Sequence, residues 1–106
     1  MNMLDLGGII ENYYEVRLLD GKELKLKRPT QAMIESISVM DKLTDNTEIL
    51  RGFSRLFARI LNRNTEGLVF KSEDLVEQYD FTVVMLLVKD YFNYWREDTE
   101  KQVNFQ

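Results

Sequence analysis

Four arginines, Arg51, Arg55, Arg59 and Arg63, recur every four residues. On a helix that spacing sets guanidinium groups about 6 Å apart along one slowly drifting stripe. Such a stripe can grip carboxylates or phosphates, or it can be a solvated face whose long stems cover apolar edges. A formal charge of −4 and the lack of any recognition motif favour the solvated reading, with guanidinium ends in water and little affinity for nucleic acid. The pairs Glu73/Asp74 and Glu97/Asp98 have the residue types of acid–base catalysis, but helix-end electrostatics and solvation account for them more simply. Gly7-Gly8 is not followed by the Gly-Lys-Ser/Thr of a phosphate loop. There is no Cys and no His. Disulfides, thiolate or imidazole metal sites and Ser–His or Cys–His nucleophile pairs are therefore excluded. No set of residues reads as an enzyme's, and no cofactor or metal is implied.

The elements that position these groups belong to one domain over 1–106, with loose ends expected at about the first ten residues and at 98–106. An apolar share of 44% against 30% charged is a folding balance rather than a disordered one. At 106 residues about two-thirds of the unfolded chain's surface can be buried, enough for a core without staples. The start, MNMLDLGGII, lacks the basic residues and long apolar run of a signal peptide. No apolar run approaches the roughly 18 residues of a membrane span. The longest, Val83–Val88, is followed at once by Lys89-Asp90. The absence of Cys suits a reducing cytoplasm.

Asn12–Arg28, NYYEVRLLDGKELKLKR, is two alternating runs around Asp20-Gly21 and predicts a β-hairpin. A two-residue loop would set Val16 against Lys25 and Leu18 against Glu23. A three-residue loop, Leu19-Asp20-Gly21, pairs Val16 with Leu24 and Tyr14 with Leu26 on one face. It also sets Arg17 against Glu23 and Glu15 against Lys25 on the other, so opposite charges meet directly. The face pattern fixes register more firmly than the turn, so the three-residue loop is expected, with Gly21 in the left-handed position. Lys22, Lys25 and Lys27 are charges that discourage edge pairing.

The remainder is helical. Thr30 caps a helix of about Gln31–Leu43, after Pro29 ends the strand. Thr44–Thr47 supplies a turn and the next cap. A second helix, about Glu48–Asn62, carries Ile49, Phe53, Leu56, Phe57, Ile60 and Leu61 on one face. Asn62–Phe70 is a loop around Gly67 with turn chemistry in Asn62-Arg63-Asn64. Ser72 is expected to cap a short helix to about Tyr79, and Asp80 or Thr82 to open the last, about Phe81–Glu97. The class is α+β: one N-terminal hairpin, then about four helices.

The last helix is the apolar extreme. Eleven of the fifteen residues Phe81–Trp95 are apolar or aromatic, so it is buried on most sides. Val84, Leu87, Val88, Tyr91 and Trp95 form one stripe; Phe81, Met85 and Phe92 form a second. Either the helix is simply the centre of the core, or one stripe is a groove or self-association surface. Tyr91, Tyr94 and Trp95, with Val84 and Leu87, are the candidate partner-binding residues, since aromatics combine large area with a polar handle.

The layout from ENYYEVRLLDGKELKLKRPT through ILNRNTEGLVFKSEDL to a hydrophobic helix opening at Asp80-Phe81 resembles the tail assembly chaperones of siphophages and prophages of Gram-positive bacteria. The resemblance covers roughly Leu4–Glu97. It implies a protein of the bacterial host's cytoplasm that binds the phage tape-measure protein, keeps it soluble and helps recruit tail tube protein. It carries no catalytic motif. The rival expectations are a virion structural or connector protein and a small nucleic-acid-binding regulator.

Overall fold

The computed structural model describes residues 3–9 and 12–104. A single helical turn, α1 (Leu6–Ile9), precedes an antiparallel hairpin of β1 (Tyr14–Arg17) and β2 (Glu23–Leu26). Four helices follow: α2 (Gln31–Met40), α3 (Asn46–Leu61), α4 (Ser72–Gln78) and α5 (Phe81–Asn104). The architecture is the α+β, mostly helical one expected.

The hairpin register is the one the charges select. Tyr14 pairs with Leu26, Glu15 with Lys25, Val16 with Leu24 and Arg17 with Glu23. Leu18 N–H donates to the Lys22 carbonyl at 2.8 Å, closing the three-residue loop, and Gly21 has φ +92°. An L side chain there would be strained. The Arg17–Glu23 pair closes at 2.7 Å in open solvent, so it pins register more than it adds stability. Leu24 and Leu26 are fully buried against the helices.

The edge of β2 is not left to its lysines. Arg63–Thr65 runs antiparallel to it as a third, one-bridge segment. Lys27 N–H donates to the Arg63 carbonyl at 2.9 Å, and Thr65 N–H to the Lys25 carbonyl at 3.0 Å. Glu66 accepts from Lys25 N–H at 3.3 Å. The chain thus covers its own edge, which charge alone would only discourage others from using.

Asn64 holds that segment in place. It is buried, and its amide makes four hydrogen bonds to main chain. Nδ2 donates to the carbonyls of Leu61 and Leu68, each at 2.8 Å, and Oδ1 accepts from the N–H groups of Glu66 and Leu68, each at 3.0 Å. An asparagine amide has capacity for two donations and two acceptances, so its polar demand is fully met. Asn62 repeats the device across a wider gap: Phe70 donates to Oδ1 at 2.7 Å and accepts from Nδ2 at 2.9 Å. Gly67, at φ +76°, turns the chain between them.

Helix ends follow the expected chemistry with three differences. The Thr30 hydroxyl accepts from Met33 N–H, and the Asp45 carboxylate from Glu48 N–H at 3.0 Å. The first difference is that α2 stops at Met40, where Asp41-Lys42 unwinds into a turn. The second is at α4. Ser72 is its first residue rather than its cap, and Lys71 at the cap position offers no side-chain bond. Asn62 already fixes the approach at Phe70, so no serine cap is required. The third is α5, which continues to Asn104 instead of fraying at Glu97. Asp98 is held by Arg28 in a largely buried ion pair and by Asn12 at 3.4 Å. Residues 98–104 therefore belong to α5 and share a tertiary anchor at Asp98. Of the loose N-terminal ten, residues 1, 2 and 10 lie outside the described residues, as do 105 and 106 of the tail.

The core sits where β2, α3 and α5 meet: Leu24, Leu26, Leu56, Phe57, Ile60, Leu61, Val88, Tyr91 and Trp95. Gly52 on α3 lets α2 approach, since a Cβ there would lie 3.1 Å from both Sδ and Cε of Met40.

Asn64→Ala removes four buried hydrogen bonds at about 1 kcal/mol each and should cost about 3–4 kcal/mol in denaturant unfolding. Asn64→Asp, nearly isosteric, should cost a similar amount, because a carboxylate oxygen would face two carbonyls.

Candidate functional site

The aromatic cluster that the sequence nominates lies between α5 and the hairpin. Tyr91 is fully buried; its hydroxyl donates to the Lys27 carbonyl at 2.5 Å. Arg63 Nε donates to the next carbonyl, Arg28, at 2.8 Å. Together they satisfy the end of β2. Tyr14 meets Tyr91 and Tyr94 edge-on, with ring centroids at 5.4 and 5.3 Å. The Tyr14 hydroxyl donates to Asp90 at 2.6 Å. Trp95 is 2% exposed, with the Arg28 guanidinium 4.6 Å from its ring centroid, a cation–π contact continuous with the Arg28–Asp98 pair. The Trp95 indole N–H is buried without an acceptor among the described residues.

This geometry redistributes the nominated residues. Val84, Leu87, Tyr91 and Trp95 belong to the core. In this state they are covered mainly by the chain itself, and of the four Trp95 also lines a groove beside α2. The cover is α3 and the hairpin, which close over this stripe of α5 from both sides. Tyr94 is the exception. It is 39% exposed, stacks edge-on against Trp95 at 4.9 Å, and its hydroxyl donates to the Tyr13 carbonyl at 3.3 Å.

The surface offered to a partner lies one helix face away. A groove of about 420 Å³ runs between α2 and the C-terminal half of α5, lined by Ile34, Ile37, Phe92, Trp95, Arg96 and Thr99 among others. Ile34 is 48% exposed, and Ile37 and Phe92 are half-buried. Ile34 and Ile37 both stand on α2. The signal for their role is that Met33 and Met40 already supply a buried face for so short a helix, leaving the isoleucines surplus.

The arginine row divides. Arg51, Arg55 and Arg59 are exposed, as expected. Arg63 is not: its guanidinium turns inward to the Arg28 carbonyl, because α3 ends there and the chain folds back along β2. Among the described residues no group of three or more acidic side chains is placed to hold a metal ion, and no helix is long and apolar enough to cross a membrane. Comparison of the chain with protein families, with curated proteins and with solved structures returns no match.

Burial first, and then the hydrogen bond to Asp90, hold the Tyr14 hydroxyl above the ordinary phenol range; burial does the same for Tyr91. A raised pKa means that the fold favours the protonated phenol. That stability is complete below about pH 10 and is lost as pH rises beyond it. Between about pH 9 and pH 11.5 the wild type should lose more stability than Tyr14→Phe, measured as the narrowing gap between their urea midpoints. Substitution should also separate core from surface. Trp95→Ala should cost about 3–5 kcal/mol. Tyr94→Ala should cost only about 1 kcal/mol by the same unfolding measurement.

Proposed function

We propose that this chain is a tail assembly chaperone: a cytoplasmic protein of the bacterial host that binds a phage tape-measure protein, keeps it soluble and aids tail tube assembly. The resemblance carried by the hairpin, the ILNRNTEG connection and the apolar last helix supplies the partner. The observation that carries the reading on the molecule is the apolar groove between α2 and α5. A holdase needs apolar surface and no chemistry. The groove offers isoleucine, phenylalanine and tryptophan side chains with a rim of Arg28, Arg96 and Glu100. An amphipathic helix laid into such a groove buries its own apolar face by the helix-in-groove mode. Net charge of −4 favours solubility of the complex.

Replacing Ile34 by Glu puts a carboxylate on the groove wall at an exposed position, so it should leave the melting temperature within a few degrees. In a bacterial host co-expressing the tape-measure protein of the same phage, the wild type should hold that protein in the soluble fraction and Ile34→Glu should leave most of it in the pellet. A tape-measure protein that stays insoluble with the wild type, or equally soluble with neither chain present, overturns the reading.

A further inference from the structure

A second groove lies on the opposite side of α2, and its character differs. It encloses about 780 Å³ between α2 and α3. Its walls include Ala32, Val39, Met40, Leu43 and Leu56, and along the α3 side stand Arg51, Arg55 and Arg59. Val39 is 57% exposed. The Arg51 and Arg55 side chains make no hydrogen bond or ion pair among the described residues, and the Arg59 guanidinium donates only to the Ser36 hydroxyl, at 3.2 Å. In a chain of net charge −4 this is a local concentration of unneutralised positive charge beside an apolar floor. Glu35 stands on the facing α2 wall and Glu48 toward the start of α3, so the groove is positive along one side rather than throughout.

From this arrangement we infer that the α2–α3 groove binds an acidic amphipathic α-helix of a partner protein. Three features select that occupant. Both walls are helices, whose backbone groups are satisfied internally, so there is no strand edge for an extended peptide to join. A helix seated between two helices instead buries an apolar stripe on Val39 and Leu43, above a floor closed by the buried Met40 and Leu56. None of the groove residues is aromatic, so a nucleic acid would find no stacking platform and an apolar floor it cannot use. The spacing gives the pattern. Arg51, Arg55 and Arg59 rise about 6 Å apart, the same repeat as carboxylates at i, i+4 and i+8 on the incoming helix. Arginine can hold each carboxylate through two parallel N–H bonds. Glu35 on the far wall disfavours a helix acidic on both flanks, which fixes its rotation in the groove. The inference rests on the chaperone reading only for which protein supplies the helix; the groove's chemistry stands apart from it.

The test uses the full chain and a fluorescein-labelled synthetic helix of about 18 residues, long enough to hold helical structure. It carries a leucine stripe flanked on one side by glutamates four apart, with a second peptide in which those glutamates are lysines. Anisotropy should show the acidic peptide binding the wild type, weakening as salt rises, and the lysine peptide binding at least about tenfold less tightly. Arg51→Glu/Arg55→Glu should weaken the acidic peptide about tenfold or more and improve the lysine peptide, an exchange that simple misfolding cannot produce. Val39→Asp should weaken the acidic peptide without lowering the melting temperature by more than a few degrees. Equal binding of the two peptides, no binding of the acidic one, or an unchanged affinity in the double variant overturns the inference. So does tighter arginine-dependent binding of a single-stranded RNA or DNA of similar length. If the peptide fails while the tape-measure protein is still kept soluble, the groove assignment falls and the chaperone reading survives. If the peptide binds and the tape-measure protein stays insoluble, the reverse holds.

Discussion

The four hydrogen bonds of the Asn64 side chain are the constraint on which the arrangement depends. They replace, with one buried amide, the pairing that the turn after α3 would otherwise lack. Because the turn is closed from inside, Arg63–Thr65 can lie straight against β2 and complete its edge. Because it lies there, the Arg63 guanidinium reaches the Arg28 carbonyl. Tyr91 from α5 reaches the neighbouring carbonyl of Lys27. Hairpin, α3 and α5 are therefore joined by polar contacts at one place and by apolar burial around it. A buried amide with every bond made specifies a unique packing; with one bond missing it would cost more than an apolar side chain would.

A molecule knit so tightly on one side has less to spend on the other. α2 is short, and it packs chiefly on α3, through Met33, Met40 and the close approach that Gly52 permits. It stands away from α5, and grooves open along both of its flanks. The two flanks have different chemistry because they have different second walls. α5 contributes Phe92 and Trp95; α3 contributes arginines. One helix thus separates a mainly apolar groove from a charged one, and whatever binds each must match a different pattern. Side chains that would be called surplus on α2 alone, Ile34 on one flank and Val39 on the other, make sense as the apolar lips of those grooves.

The parts of this fold that could be read in advance were those set by near neighbours. The hairpin register follows from charges that must meet across a few residues. The Thr30 cap acts three positions away, and so does the cap that the 44–47 turn supplies, which is Asp45. The stripe Val84, Leu87, Val88, Tyr91 and Trp95 announces its own burial. What escaped were features set by distant partners. Asp98 sits in a polar stretch that looks frayed until Arg28, 70 residues earlier, is placed beside it. The Ser72 cap was unnecessary because Asn62 had already fixed Phe70. Two of the aromatic residues nominated for partner contact, Tyr91 and Trp95, are buried for a related reason. An apolar stripe states that it will be covered, but not whether the cover comes from the same chain. For Tyr91 it is β2 and for Val84 it is the core, and only Tyr94, on the far side of the stripe, keeps an exposed ring.

The same reasoning bears on how charge is used. Of the four arginines at a helical repeat, the one at the end of α3 is consumed by the fold, and its loss from the row could not be seen from spacing alone. The three that remain stand on the side of α3 that faces α2, beside apolar side chains. On an open helix face such residues would be ordinary solvation, screened within about 8–10 Å. Beside a concave apolar floor they acquire direction. An incoming group is held close and partly desolvated, where charge discriminates between partners more than it adds affinity. On the proposed reading the division of labour is physical: apolar area on both flanks of α2 provides attachment, and the guanidinium row on one flank selects which helix, in which rotation, can use it.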